Sequence, residues 1–220
     1  MNSQDMWTNV DQYFLDHLFP EETIMEEVLE VNKEAGLPSI DVSPTQGKLL
    51  HLLVKMKGAK NILEIGTLGG YSSIWMAKAL PEGGKLTTLE FNPKHAEIAA
   101  ANMKKAGVEE KIEIIVGPAL NTLPTLKMNV PFDFIFIDAD KNNNPPYVNE
   151  VLKRSQSGTT LIIDNVVRSG DILESQSEDS SIQGIREMFE MLKNDSRMDS
   201  TAFQTVGSKG YDGFVLAIVK

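Results

Sequence analysis

The sequence contains no cysteine, which excludes disulfides, thiolate nucleophiles and cysteine-held zinc. Its three histidines, His17, His51 and His95, are scattered, so any bound metal must be held by oxygen. No apolar run reaches membrane-spanning length, which argues against a membrane partner. The first twenty residues are amphipathic and lack a basic start, so neither a signal peptide nor an anchor is expected, and the predicted location is cytoplasmic. Basic residues are the minority, 21 Lys and Arg against 31 Asp and Glu. The net charge of −10 disfavours non-specific nucleic-acid binding without excluding a local basic patch. What remains is an ordinary soluble composition, 41% hydrophobic and 24% charged, over 220 residues, which predicts one domain able to bury a full core.

The chain is organised around Asn61-Ile62-Leu63-Glu64-Ile65-Gly66-Thr67-Leu68-Gly69-Gly70-Tyr71-Ser72. The apolar run 62–65 reads as a strand covered on both faces. Gly66, Gly69 and Gly70 let backbone approach a bound group closely at its carboxyl end, where open α/β sheets bind ligands. A dinucleotide fingerprint needs G-x-G-x-x-G, and Leu68 stands where its second glycine belongs. Two acids flank the turn instead, Glu64 before Gly66 and Glu90 at the end of the next strand, where a carboxylate can accept both hydroxyls of a ribose. A ligand with a ribose and a positive charge but no pyrophosphate suits that pair, and S-adenosylmethionine has those features. Turns of this kind also occur with no ligand at all.

Met6, Trp7, Val10, Tyr13, Phe14, Leu18 and Phe19 recur at helical spacing within residues 1–19, an apolar face that reads first as core and second as a subunit interface. A second helix, over about 21–35, stops at Gly36 ahead of Pro38. Ser43 as N-cap, Pro44 in the first helical position and Gln46 completing a capping box start a third helix that runs to Gly58. It brings 41–43 toward the glycine turn, where their backbone can contact the same ligand. Helices at about 70–80, from Pro93 to Gly107, and after Pro145 and Pro146 up to Gly158, alternate with strands 85–90, 112–116, 132–137 and 159–163. Crossovers of that length make these strands parallel. After a helix at about 181–193, strands near 200–206 and 213–219 are separated only by 207–212, so they form an antiparallel hairpin. The polar loop 166–180 is expected to overlie the strand ends and cover a substrate. The expected organisation is a single α/β domain, with N-terminal helices over 1–58 and a core over 59–220.

Asp138 follows one buried strand, and Asp164 with Asn165 follows the next; parallel strands end on the same side, so these oxygen donors can converge beside the glycine turn. Three hard donors favour a divalent cation, Mg²⁺ first and Mn²⁺ or Ca²⁺ second, although acids at strand ends also simply cap loops. A cation beside a methyl donor suggests activation of a hydroxyl. Bringing a phenol from a pKa of about 10 to neutrality takes roughly 4 kcal/mol of preferential stabilisation of the anion, within the reach of one divalent ion. Two adjacent hydroxyls can grip the cation and aim one oxygen at the methyl group. Lys141, three residues beyond Asp138, is a candidate proton acceptor, since a nearby cation favours a neutral amine.

The motifs Leu63-Glu64-Ile65-Gly66-Thr67, Gly70-Tyr71-Ser72, Phe136-Ile137-Asp138-Ala139-Asp140-Lys141 and Asp164-Asn165 resemble those of the metal-dependent S-adenosylmethionine O-methyltransferases of the catechol and caffeoyl-CoA type, especially small bacterial members. The resemblance spans about 42–220. It implies a Rossmann-like class I methyltransferase fold with sheet order 3-2-1-4-5-7-6, and a homodimer. It assigns Val42, Glu64, Gly66, Ser72, Glu90, Ala119 and Asp138 to the methyl donor, Asp138, Asp164 and Asn165 to the metal, and Lys141 to proton removal, with Asp138 beside it in the catalytic centre. The chain departs from the family where substrate is expected. Asn144 replaces the first of two tyrosines, leaving Tyr147, and Val166-Val167-Arg168-Ser169-Gly170 replaces a segment that often carries tryptophan. The expected reaction is O-methylation of a vicinal-diol aromatic such as a catechol, hydroxycinnamate or flavonoid. A hydroxylated tRNA uridine is the rival substrate, disfavoured by the acidic charge, and a nicotinamide-dependent oxidoreductase is the rival class, disfavoured by Leu68.

Overall fold

The computed structural model describes residues 2–19, 23–127 and 130–220. Three helices lead the chain: α1 (Ser3–Leu18), α2 (Thr23–Glu34) and α3 (Pro44–Lys57). The expected start of the second helix, at about residue 21, lies outside the described residues. An alternating series follows: β1 (Asn61–Ile65), α4 (Tyr71–Ala79), β2 (Lys85–Glu90), α5 (Pro93–Lys105), β3 (Ile112–Val116), a short α6 (Ala119–Thr122), β4 (Phe132–Ile137), α7 (Asn144–Leu152), β5 (Ser155–Asp164), α8 (Ser180–Asn194), β6 (Met198–Gly207) and β7 (Gly210–Val219). Local chemistry sets many of these ends. Ser43 Oγ accepts the Gln46 N–H at 3.2 Å with Pro44 behind it, and Gly58 closes α3 in the left-handed conformation, φ 65°. Asn92 with Pro93 and Asp179 begin α5 and α8 in the same manner as Ser43.

The seven strands form one sheet in the order β3-β2-β1-β4-β5-β7-β6, parallel through β5 and antiparallel for the last two. This is the expected topology. Apolar residues of α2, α3, α4 and α5 cover one face of the sheet, and those of α7 and α8 cover the other. β1 and β4 are therefore enclosed on both sides, with Ile62, Leu63, Phe134 and Ile135 fully buried.

Three expectations change. Gly158 is not the end of a crossover: β5 begins at Ser155, opposite Phe132, and Gly158 (φ 88°) sits where the register slips, with Thr159 Oγ1 donating to the Phe132 carbonyl at 2.7 Å. The last hairpin is tighter than the composition of 207–212 suggests, because pairing continues to Gly207 and Gly210 and leaves only Ser208 and Lys209 in the turn. Most of the apolar stripe of α1 is not core: Met6, Val10, Tyr13, Phe14 and Leu18 are 42–66% exposed, and only Trp7 and Phe19 are half-buried. α1 is attached through polar contacts, with Asp11 Oδ2 accepting the Ser208 N–H at 2.7 Å and Gln4 Nε2 donating to the Gly207 carbonyl at 3.0 Å, and at its end through Phe19, whose ring lies edge-on to Trp75. No helix among the described residues is long and apolar enough to cross a membrane.

Candidate active site

The carboxyl ends of β1, β2, β4 and β5 open into one cavity of about 930 Å³. Its floor is the turn after β1. Gly66 lies at φ 97°, and a Cβ there would stand 2.1 Å from the Asp138 carbonyl oxygen, so only glycine allows the β1 and β4 ends to come this close. Gly69 is equally confined, by the amide of Asn32. Leu68, standing where a dinucleotide site would have glycine, itself adopts φ 49°.

That left-handed turn is held by Glu90. Its Oε2 accepts the Thr67 and Leu68 N–H groups at 3.1 and 2.8 Å, and its Oε1 accepts the Asn92 N–H at 2.9 Å with His95 Nδ1 3.5 Å away. Glu90 lines the cavity as expected, with part of its accepting capacity already used by backbone. Glu64 lies deeper. It is fully buried, does not line the cavity, and accepts hydroxyls from Ser72, at 2.6 Å, and Ser73. Burial raises its carboxyl to about 7, against the opposing pull of those two hydroxyls. Of the two serines only Ser72 reaches the cavity, so Glu64 acts on it through Ser72. Val42, Gly66, Ala119 and Asp138 line the cavity as well.

On the other side Asp138, Lys141, Asp164 and Asn165 face the same space. Lys141 is buried in a 3-10 turn (Lys141–Asn143), and its Nζ donates to Asp138 Oδ1 at 2.8 Å. α8 presses on this turn through Gly184, where a Cβ would be 2.4 Å from the Lys141 carbonyl oxygen. Asn165 takes φ 55°, a conformation asparagine tolerates, at the end of β5. Burial, and then the charge of Asp138, hold the Asp164 carboxyl above the ordinary carboxylate range. Among the described residues no three His, Cys, Asp or Glu side chains form a metal cluster. The donors here are two carboxylates and one amide, a hard-oxygen set that fits Mg²⁺, Mn²⁺ or Ca²⁺.

Several cavity residues carry no motif. Asp41 is held by Asn32 Nδ2 at 2.9 Å, and burial raises its carboxyl despite that bond and the nearby Lys209. Asn32 in turn accepts from Asn102, which also donates to the Gly69 carbonyl, both at 2.9 Å. This chain of amides ties α2 and α5 to the glycine turn, and only the polarity of two residues on otherwise amphipathic helices hinted at it. The Gln46 side chain, expected in a capping box, turns instead to the cavity and favours the charged form of Asp164. Tyr147 lines the cavity and donates to Asp140 Oδ1 at 2.5 Å, and burial with that bond pushes its hydroxyl above the usual tyrosine range. Asn144 does not reach the substrate region. It is fully buried in the first turn of α7, and neither amide atom has a partner among the described residues.

Comparison with known proteins agrees with this geometry. The O-methyltransferase family model matches residues 16–218. A catechol O-methyltransferase of Niastella koreensis is 46% identical over 222 residues, covering all of both chains. Among solved structures, an O-methyltransferase from Bacillus cereus in complex with SAH is 53% identical, with a TM-score of 0.97 over 99% of this chain and 100% of that one. TomG from Streptomyces achromogenes, an O-methyltransferase involved in tomaymycin synthesis and solved with SAM, is 45% identical, with a TM-score of 0.96 over all of both chains. A glycine turn of this shape, a cavity floored by it and a match along nearly the whole sequence leave one conclusion: the chain belongs to the O-methyltransferase family.

Proposed function

We propose that this O-methyltransferase moves the methyl group of S-adenosylmethionine to one hydroxyl of a vicinal-diol aromatic, with a divalent cation, Mg²⁺ first, held by Asp138, Asp164 and Asn165. The observation that carries the reading is the single cavity shared by the glycine turn and these three oxygen donors. Relatives solved with SAM and SAH support the donor, and the Niastella koreensis enzyme's name supports the acceptor. When bound, the cation supplies the positive charge that lets a ring hydroxyl ionise near neutral pH. The chain's own residues do the rest. The turn at Gly66 and Glu90 shape the donor half, with Val42, Ser72 and Ala119 on its walls and Glu64 fixing Ser72 from below. Lys141 Nζ, acting as the neutral amine, takes the hydroxyl proton and becomes an ammonium beside Asp138. The phenolic oxygen then forms its bond to the methyl carbon as the sulfonium carbon–sulfur bond breaks, leaving the neutral thioether.

The proposed unit is a single domain, because residues of 1–58 such as Asp41, Val42 and Gln46 build one wall of the cavity opened by 59–220. The exposed stripe of α1 is the proposed homodimer contact. A cysteine-free chain is at home in the cytoplasm, the proposed location. The test is methyl transfer with Mg²⁺ to catechol, a flavonoid diol and hydroxylated tRNA, with and without EDTA. Catechol turnover that vanishes in EDTA and returns with Mg²⁺ is expected. Undiminished turnover in EDTA refutes the metal role, and turnover of hydroxylated tRNA alone refutes the acceptor.

A further inference from the structure

The segment after Asn165 is built with unusual backbone. Val166 and Val167 are buried, and then Arg168 and Ser169 both adopt left-handed conformations, φ 54° and 58°. Non-glycine residues enter that region at a cost, so something must hold them there. Asp212 at the start of β7 does so: its Oδ1 accepts the N–H groups of Val167 and Arg168, at 2.9 and 3.0 Å, and of Gly213 at 2.9 Å. The Arg168 backbone is thus fixed three residues from a proposed metal ligand, and the residue is exposed and lines the cavity.

The other basic side chains of the cavity are engaged. Lys141 is bonded to Asp138, Lys209 Nζ donates to the Ser39 carbonyl at 3.1 Å, and His95 faces Glu90. The carboxylates are satisfied too, Asp41 by Asn32, Asp140 by Tyr147 and Asn143, and Asp212 by three N–H groups. Among the described residues the guanidinium of Arg168, a residue of the cavity lining, has neither an ion pair nor a hydrogen bond, so its planar fork of N–H donors is left for a ligand.

We infer that Arg168 determines acceptor specificity, pairing with a carboxylate on the far side of the diol ring, so that the preferred substrate is a carboxylate-bearing vicinal diol. The inference rests on the vicinal-diol reading above. Arg168 lines the same cavity as Asp164 and Asn165, the residues proposed to receive the ring hydroxyls, and a bidentate fork matches a carboxylate in both charge and shape.

Steady-state kinetics with S-adenosylmethionine and Mg²⁺ on 3,4-dihydroxybenzoate and its methyl ester test it. The ester group withdraws electrons more strongly than carboxylate and eases ionisation of the ring hydroxyls, so ring reactivity favours the ester. The wild type is nevertheless expected to prefer the acid by about tenfold or more in kcat/KM, the scale of a charge-assisted pair. Arg168→Gln should bring that ratio to about one or below, and Arg168→Lys should retain part of it. As a ratio within one protein, it does not depend on how much of a variant folds. A wild type that turns over both without preferring the acid, or an Arg168→Gln ratio equal to the wild type's, overturns the role of Arg168 while leaving the diol reading intact. Turnover of neither compound, nor of catechol, overturns the diol reading and this inference with it.

Discussion

Glu64 offers a direct measure of what it costs to bury an acid beneath the glycine turn. Its carboxyl is raised from 4.5 to about 7 by complete burial, so the native protein holds a proton there that the unfolded chain releases. The stabilisation is complete below pH 4.5 and is lost as pH rises through 7, because an ionised Glu64 is tolerated in water and penalised inside. At about 1.4 kcal/mol per unit of pKa difference, the loss totals about 3 kcal/mol between those limits. Asp164, also raised, contributes in the same direction, so the wild-type curve alone does not isolate Glu64. Glu64→Gln does: Asp164 titrates in both proteins and cancels in the difference, while any constant cost of rearranging the Ser72 and Ser73 hydroxyls offsets the curve without tilting it. Urea unfolding at intervals from pH 4.5 to 8.5 should show the variant gaining about 3 kcal/mol on the wild type across the range. A flat difference curve would refute the assignment of the burial cost to this carboxyl.

Lys141→Ala should lower kcat for catechol by about 10²- to 10⁴-fold, the usual worth of a positioned base, while the S-adenosylmethionine Kd measured by calorimetry stays within about threefold; an unchanged kcat removes Lys141 from proton transfer. Gly66→Ala puts a methyl group 2.1 Å from the Asp138 carbonyl at a φ of 97°, so it should cost about 3 kcal/mol or more and abolish SAH binding. A melting temperature and SAH affinity equal to the wild type's would show that the close approach of β1 and β4 is not required.

The order of elements was legible because it is written locally. The apolar runs of β1 and β4, the Ser43-Pro44 and Asn92-Pro93 starts, and glycines just past helix ends are decided by neighbours in the chain. The parallel sense of the strands followed from crossover length, and Asp138, Asp164 and Asn165 were found at the strand ends for the same reason. Packing between distant segments decided the rest. Helical spacing places Met6, Tyr13 and Leu18 on one face of α1 but does not say whether that face is covered; in the fold Asp11 on α1 ties to the β6–β7 turn while these three stay exposed. The family resemblance put Asn144 and the segment holding Arg168 alike in the substrate region. Packing buries the first completely, and Asp212, 44 residues beyond the second, fixes the backbone of a residue that lines the cavity. The sequence by itself thus determined which residues could carry the chemistry. Only the tertiary structure decided which of them reach the cavity, because a side chain's exposure depends on segments far from it along the chain.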